Sequence, residues 1–260
     1  MLRQSQMSTA TVAVPHTRSL GIVPDLSRVF MLDESSRTET LAFLAERPVH
    51  TVVMTSFIHD NGFDTELNRG TFYGYRNEAG RLEGVGLIGH STLFEARTEK
   101  AIEALAFTAR TSARPIHLIM SSGDAAERFW SSYTTTAAAP RLRCEELLFE
   151  TAFPFAVQKC EWNVETANAA DLVELAEAQA EVAFIECGVD PMARDREGFL
   201  KRVLRRIEMG RVFSVKIDGK LAFKADIIAE TPDVIYLEGV WVAPFVMAAI
   251  NTRNVHRSNF

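Results

Sequence analysis

The chain has 260 residues, of which 47% are apolar and 24% charged, and its net charge at pH 7 is −6. This is an ordinary globular composition, enough for one or two domains of roughly 100–200 residues each. The negative balance removes any sequence-wide electrostatic case for nucleic acid or an acidic membrane surface.

No apolar run approaches the ~18 residues of a membrane span. The three cysteines, Cys144, Cys160 and Cys187, are odd in number and far apart, and none forms a Cys-x-x-Cys pair. That pattern suits a reducing, cytoplasmic setting and argues against a disulfide framework. The six histidines show no ligand-type spacing, so no metal is expected. The opening MLRQSQMSTATVAVPHTRSLGIVP mixes Ser, Thr and Pro with short apolar runs and lacks a signal core. Residues 1–27 are therefore expected to form a flexible leader.

A first domain is expected over residues 28–152. RVFML (Arg28 to Leu32) is strand-like and leads to a helix cap at Ser35 or Ser36 before LAFLAER. After a polar stretch comes the strand GTFYGYR, then a turn NEAG, then a returning strand RLEGVGLIGHSTLFEA. Arg97 to Arg110 reads as a helix, with Ile102, Leu105, Ala106 and Ala109 on one face. PIHLIMSSG reads as a buried strand, DAAERFWSSY as a short helix, TTTAAAP as a loop and LRCEELLFE as a strand candidate.

The second half, residues 153–244, repeats the theme. QKCEWNVE leads into a helix with Leu172, Leu175, Ala176, Gln179 and Val182 near one face. A second helix follows Pro191, with Phe199, Leu200, Val203, Leu204 and Ile207 at helical spacing and Gly210 as its stop. Its Lys201, Arg202, Arg205 and Arg206 read as a solvated face. RVFSVKI and KLAFKADIIAE flank Asp218-Gly219, the strongest short-range hairpin signal. Val234 to Pro244, VIYLEGVWVAP, is a strand rich in β-branched and aromatic residues that Pro244 closes. Alternation puts Tyr236, Glu238 and Val240 on one face and Leu237, Gly239 and Trp241 on the other.

Gly84-Val85-Gly86-Leu87-Ile88-Gly89 matches G-x-G-x-x-G, and Arg81 to Gly86 matches Arg-x-x-Gly-x-Gly. A phosphate loop must follow a strand and open directly into a helix. These glycines instead sit within the returning strand, where glycine marks a bulge or a close backbone approach.

The strand Val234 to Pro244 resembles the fourth strand of the GNAT superfamily of acyl-CoA N-acyltransferases. The paired hairpins, Gly80 to Gly84 and Gly219 to Phe223, resemble that family's second and third strands. The resemblance implies an α/β (α+β) fold with two GNAT-like mixed sheets flanked by helices, the second incomplete. It implies transfer of an acetyl or other acyl group from acetyl-CoA or a related thioester to a small-molecule or peptide amine. It makes Glu238 the general base and Gly239, Val240, Trp241 and Val242 the backbone that pairs with the pantetheine arm. It also makes Tyr133, in ERFWSSY, a candidate acid toward the thiolate. The alternative is a non-catalytic small-molecule-binding or regulatory module on the same fold.

In the family this strand runs into a glycine-rich pyrophosphate loop at a helix N-terminus, where unpaired N–H groups and the helix dipole favour an anion. The tail 245–260, FVMAAINTRNVHRSNF, has no glycine. Acetyl-CoA binding is therefore expected to be impaired and the second domain truncated. Read two nucleotides later, the codons of Phe245 to Asn251 are compatible with an Arg-Asn-Gly-Gly stretch, so a frameshift is the expected origin of the tail. An edge left open along residues 234–242 invites self-association.

Overall fold

The structure, a computed structural model, describes residues 3–4, 25–136, 139–152, 154 and 162–247. It divides into two compact units, Met1–Phe155 with Thr231–Val234, and Ala156–Glu230 with Ile235–Phe260. Both mix helices and strands, the α/β class expected. Most of the expected leader, the segment Gln158 to Glu161 and the tail beyond Met247 lie outside the described residues.

In the first unit, β1 (Arg3–Gln4) lies within the expected leader, and β2 (Val29–Met31) follows it. Ser36 stands at the N-cap of the first helix, as expected, though its side chain makes no capping bond; Asp33 caps the 3-10 turn 34–36 ahead of it, its carboxylate accepting from the Ser35 N–H at 3.0 Å. Helix α1 (Arg37–Ala45) is followed by α2 (Pro48–Asn61), which the polar stretch had concealed. Proline opens α2 and Gly62 follows it at φ +74°, the usual asymmetry of helix ends. The Thr51 hydroxyl donates to the Leu44 carbonyl at 2.7 Å and pins the corner between the two helices.

Strands β3 (Gly70–Arg76), β4 (Leu82–Gly89) and β5 (Ser91–Ala96) form an antiparallel meander. The single returning strand expected from RLEGVGLIGHSTLFEA is thus two strands, and the chain turns back at His90. Helix α3 (Glu99–Thr111) then crosses to β6 (Leu118–Met120), parallel to β5. After α4 (Ala125–Tyr133), β7 (Phe149–Glu150) pairs with β1. The main sheet has the order β2-β3-β4-β5-β6. Its last strand is no buried strand: Leu118 and Met120 are exposed, as suits an edge.

Both faces of this sheet are covered. Val85 and Leu87 of β4 pack with Phe43, Leu44, Met54 and Ile58 of α1 and α2. Ile88 and Phe94 pack with Ile102, Leu105 and Phe129 of α3 and α4. Gly84 and Gly86 share the α3 face. A Cβ on Gly84 would stand 3.0 Å from the Ala101 Cβ, and one on Gly86 would stand 3.4 Å from Leu105. The glycine motif therefore lets a helix approach the sheet and does not form a phosphate loop.

In the second unit, β8 (Glu165–Thr166) leads to α5 (Leu172–Cys187) and α6 (Pro191–Glu208), then β9 (Val212–Ile217), β10 (Lys220–Glu230) and β11 (Ile235–Val242). The order is β11-β10-β9-β8, antiparallel throughout, so the mixed character expected of both sheets belongs to the first alone. Asn168 and Asp171 form a capping box ahead of α5. Asp218 and Gly219, at φ +50° and +76°, make the two-residue turn their sequence predicts. Gly210, at φ +70°, stops α6 as expected. Leu175, Phe199, Val203, Ile207, Val212 and Leu221 form the core between helices and sheet. On the opposite face, one helical turn at 244–247 lays Val246 against Val215, Ala222 and Ala243.

Two expectations follow. Gly84→Val should destabilise the first unit by about 1–3 kcal/mol through overpacking against α3, read by chemical denaturation; an unchanged midpoint would contradict the close approach. The second concerns Asp171, whose carboxyl is held below its usual range, first by a hydrogen bond from Lys216 at 2.5 Å. A depressed carboxyl stabilises fully above its unfolded value of 3.8 and loses that contribution as pH falls through the folded value. Asp171→Asn should therefore cost about 0.5–1 kcal/mol near neutral pH. The difference from wild type should vanish in acid, and a difference that persists there would refute the pairing.

Candidate functional site

The feature with the most chemical potential is the edge of the second sheet. Asp226 pairs across to Glu238, and Lys224 pairs to Trp241. Between these rungs β10 contributes only Ala225, whereas β11 contributes Gly239 and Val240. The extra residue is a β-bulge with Gly239 at φ +61°, which glycine adopts without steric cost. The bulge overrides simple alternation. Lys224 and Asp226 are two apart and share a face, so their partners Trp241 and Glu238 share it too. Glu238 and Trp241, assigned opposite faces by the alternating pattern, emerge on the same one.

The strand is an edge among the described strands, and its side chains show it. Glu238 and Val240 are exposed, as are Ile235 and Leu237. Trp241 is half-buried against the α5–α6 core, and its indole N–H donates to Glu181 Oε2 at 2.9 Å. Val242 packs on the other face with Val215 and Val246.

Beneath the bulge lies a buried cation. Lys224 is 1% exposed. Its Nζ donates to the Gly239 carbonyl at 3.0 Å and to Gln179 Oε1 of α5 at 2.5 Å. It stands 2.9 Å from Asp226 Oδ1, an ion-pair distance without hydrogen-bond alignment. Asp226 Oδ2 accepts from Arg206 Nη1 of α6 at 2.5 Å. Burial pushes the Lys224 ammonium below the usual lysine range; Asp226 opposes that shift, Arg206 adds to it, and Glu238 opposes it.

Of the residues singled out from the sequence, Glu238, Gly239, Val240, Trp241 and Val242 lie together on β11. Tyr133 belongs to the first unit, at the end of α4, where its ring stacks on Phe129 at 6.3 Å and tilts against Trp130 at 5.8 Å. Arg206, read as part of a solvated face, reaches the buried Asp226. Lys224 and Asp226 were not picked out, and Gln179 was read only as part of a helix face. The available signal was two charges, Lys224 and Asp226, inside the otherwise apolar KLAFKADIIAE.

The first unit has a strand carboxylate of different character. Glu95 of β5 is 3% exposed. Arg47 Nη1 reaches its two oxygens at 3.0 and 3.2 Å, and Arg97 also donates to it. Arg47 further donates to the Ser122 hydroxyl at 2.9 Å. An open cleft of about 400 Å³ is lined by Asp33, Glu34, Ser35, Asn61, Gly62, Phe63 and Asp64. Asp33 is occupied in its turn and Glu34 is paired with Arg37 at 2.5 Å. Among the described residues no three His, Cys, Asp or Glu side chains stand in a metal-binding cluster, and no helix is long and apolar enough to cross a membrane.

No protein-family model and no curated protein matches the sequence. A solved structure that is similar is an acetyltransferase from the GNAT family from Colwellia psychrerythraea. It shares 10% identity, with 84% of this chain and 78% of that one covered, at a TM-score of 0.36. A likeness this faint leaves any reading of the site to the geometry of this chain.

A Cβ on Gly239 would stand 2.6 Å from Gln179 Oε1 and 3.3 Å from Lys224 Nζ, in a backbone conformation that side chains rarely adopt. Gly239→Ala should therefore destabilise the second unit by about 1–2 kcal/mol. Thermal unfolding reads this, and a stabilised variant would contradict the bulge.

Proposed function

We propose that the second unit is an acyltransferase module of GNAT type, which passes an acetyl or other acyl group from a CoA thioester to a primary amine. The observation that carries this reading is the Gly239 bulge. It sets an exposed carboxylate, Glu238, beside the backbone of an edge strand. Such a backbone can pair with an extended, amide-bearing chain as an added strand does, and the pantetheine arm is a chain of that kind. The order β8-α5-α6-β9-β10-β11, with an antiparallel sheet and a glycine hairpin, also agrees with the resemblance noted in the sequence.

In this reading Glu238 takes a proton from the substrate ammonium, directly or through water. The free amine attacks the thioester carbonyl, the C–N bond forms and the C–S bond breaks. The nitrogen of the tetrahedral adduct gives its second proton to water, leaving a neutral amide, and the departing CoA thiolate takes up one proton. The resemblance makes Tyr133 the donor to that thiolate; because its ring is engaged in packing in the first unit, we assign this proton to water. β11 supplies groups for the pantetheine arm and for the acceptor amine.

The alternative is a non-catalytic small-molecule-binding or regulatory module on the same fold. In the first unit the strand carboxylate Glu95 is buried and clamped by Arg47 and Arg97, so it is not available to take a proton from a substrate.

The test is thiol release from acetyl-CoA in the presence of a panel of primary amines. Glu238→Gln should lower the rate by about 10²–10⁴-fold, the usual worth of a general base, and remove the acidic limb of the pH profile. An unchanged rate at every pH would make Glu238 a structural residue.

A further inference from the structure

The buried cation beneath the bulge has no part in the chemistry just described. A lysine that is 1% exposed in the middle of a sheet is costly to bury, and it persists only where partners hold it. Its partners come from three elements. Gln179 of α5 accepts one hydrogen bond, Asp226 on the same strand balances the charge, and the Gly239 carbonyl of β11 accepts another. Only the last of these belongs to the bulge.

A bulge leaves a peptide group outside the regular ladder, and a buried carbonyl left without a donor is costly. Lys224 satisfies that carbonyl from below. Gln179 fixes the ammonium from the helix side, and the absence of a Cβ on Gly239 leaves room for both groups. The contact links α5 to the Gly239 bulge of the edge strand.

We infer that Lys224 is a positioning residue: by binding the Gly239 carbonyl it holds the β11 bulge in place, and through the bulge it sets the outward aim of Glu238 and of the Val240 backbone. This rests on the proposed role of the β11 edge for its catalytic meaning, and on the geometry alone for its structural meaning.

The charges around Lys224 give the inference a second consequence. It is faced by Asp226 on β10, Arg206 on α6 and Glu238 on β11, while Glu181, further along α5, is engaged by Trp241. Asp226 and Glu238 are direct cross-strand partners, and like charges placed opposite each other repel. Lys224 lies where it screens that repulsion. Removing its charge should make Glu238 hold its proton to higher pH.

Two variants separate position from charge. Lys224→Met removes the donor and leaves Asp226 to Arg206 alone. Lys224→Met/Asp226→Leu removes donor and countercharge together, which avoids an uncompensated buried carboxylate and keeps the test open should the single variant not fold. Amide hydrogen exchange reads the bulge without any need for activity. In both variants the Glu238 and Trp241 amides, on the ladder rungs that flank the bulge, should exchange at least about tenfold faster than in wild type, while the Ser214 and Val215 amides of β9 stay unchanged. Wild-type exchange at Glu238 and Trp241 in the folded double variant would overturn the inference. In the acyl-transfer assay, the acidic limb of the pH profile should move to higher pH in Lys224→Met and return in the double variant. A limb that stays put in the single variant would overturn the electrostatic part. If the wild type transfers no acyl group to any amine, the acyltransferase reading fails, and the exchange measurement still decides the role of Lys224.

Discussion

The second unit turns on one extra residue. Where β10 passes Ala225, β11 must fit both Gly239 and Val240, and that mismatch sets everything downstream on the strand. It rotates Trp241 onto the helix-facing side, where the indole packs and bonds to Glu181. It leaves Val240 in solvent and sends Val242 to the opposite core. It also demands a left-handed backbone at position 239, which confines the position to glycine or to a residue under strain. A regular β11 would place Glu238 and Trp241 on opposite faces and would offer its edge a continuous ladder with no irregular point.

The first unit is governed by a different constraint, the double coverage of its sheet. With α1 and α2 on one face and α3 and α4 on the other, β4 has no solvent side, and its burial is almost continuous from Gly84 to Gly89. The same coverage explains the carboxylate of β5. Glu95 lies under the helices, and a charge so placed persists only when neutralised, which Arg47 and Arg97 do together. The two strand carboxylates, Glu95 and Glu238, thus differ in availability because their strands differ in cover. Burial fits the first for holding structure and exposure fits the second for exchanging protons.

Local signals were legible where local physics decides. Asp218-Gly219 predicted its turn because both positions need positive φ. Gly210 predicted the end of α6, and the spacing of Ile102, Leu105, Ala106 and Ala109 predicted the buried face of α3. Helix α2 was not legible from its composition, since Val49, Thr51, Val52 and Val53 favour strands and tertiary packing overrides them. Pro48 and Gly62 marked its ends and were the usable signal. The turn at His90 was hidden because β4 and β5 are both apolar and nothing but His90 separates them. The bulge was half legible: Gly239 suggested it, but its consequence for the faces depends on the register with β10. The Lys224 cluster depends on three elements meeting, and sequence spacing carries no trace of that beyond two charges in an apolar strand.

Lys224 and Asp226 form a buried ion pair within an otherwise apolar strand. Replacing a buried ion pair by apolar side chains of similar volume is often neutral or stabilising. Stability of the core alone therefore does not explain why Lys224 and Asp226 stand in β10. An apolar residue at 224 would pack against α5 as well as its neighbours do, yet it would leave the Gly239 carbonyl and Gln179 Oε1 without their donor. Each unmatched group costs about 1–3 kcal/mol, and the chain could avoid that cost by closing the bulge and restoring a regular ladder. The ammonium removes this alternative. Its bond to the Gly239 carbonyl belongs to the bulge, so the network adds little to the depth of the fold and much to its definition at one point. That point is where the strand presents Glu238 and its edge to whatever binds there.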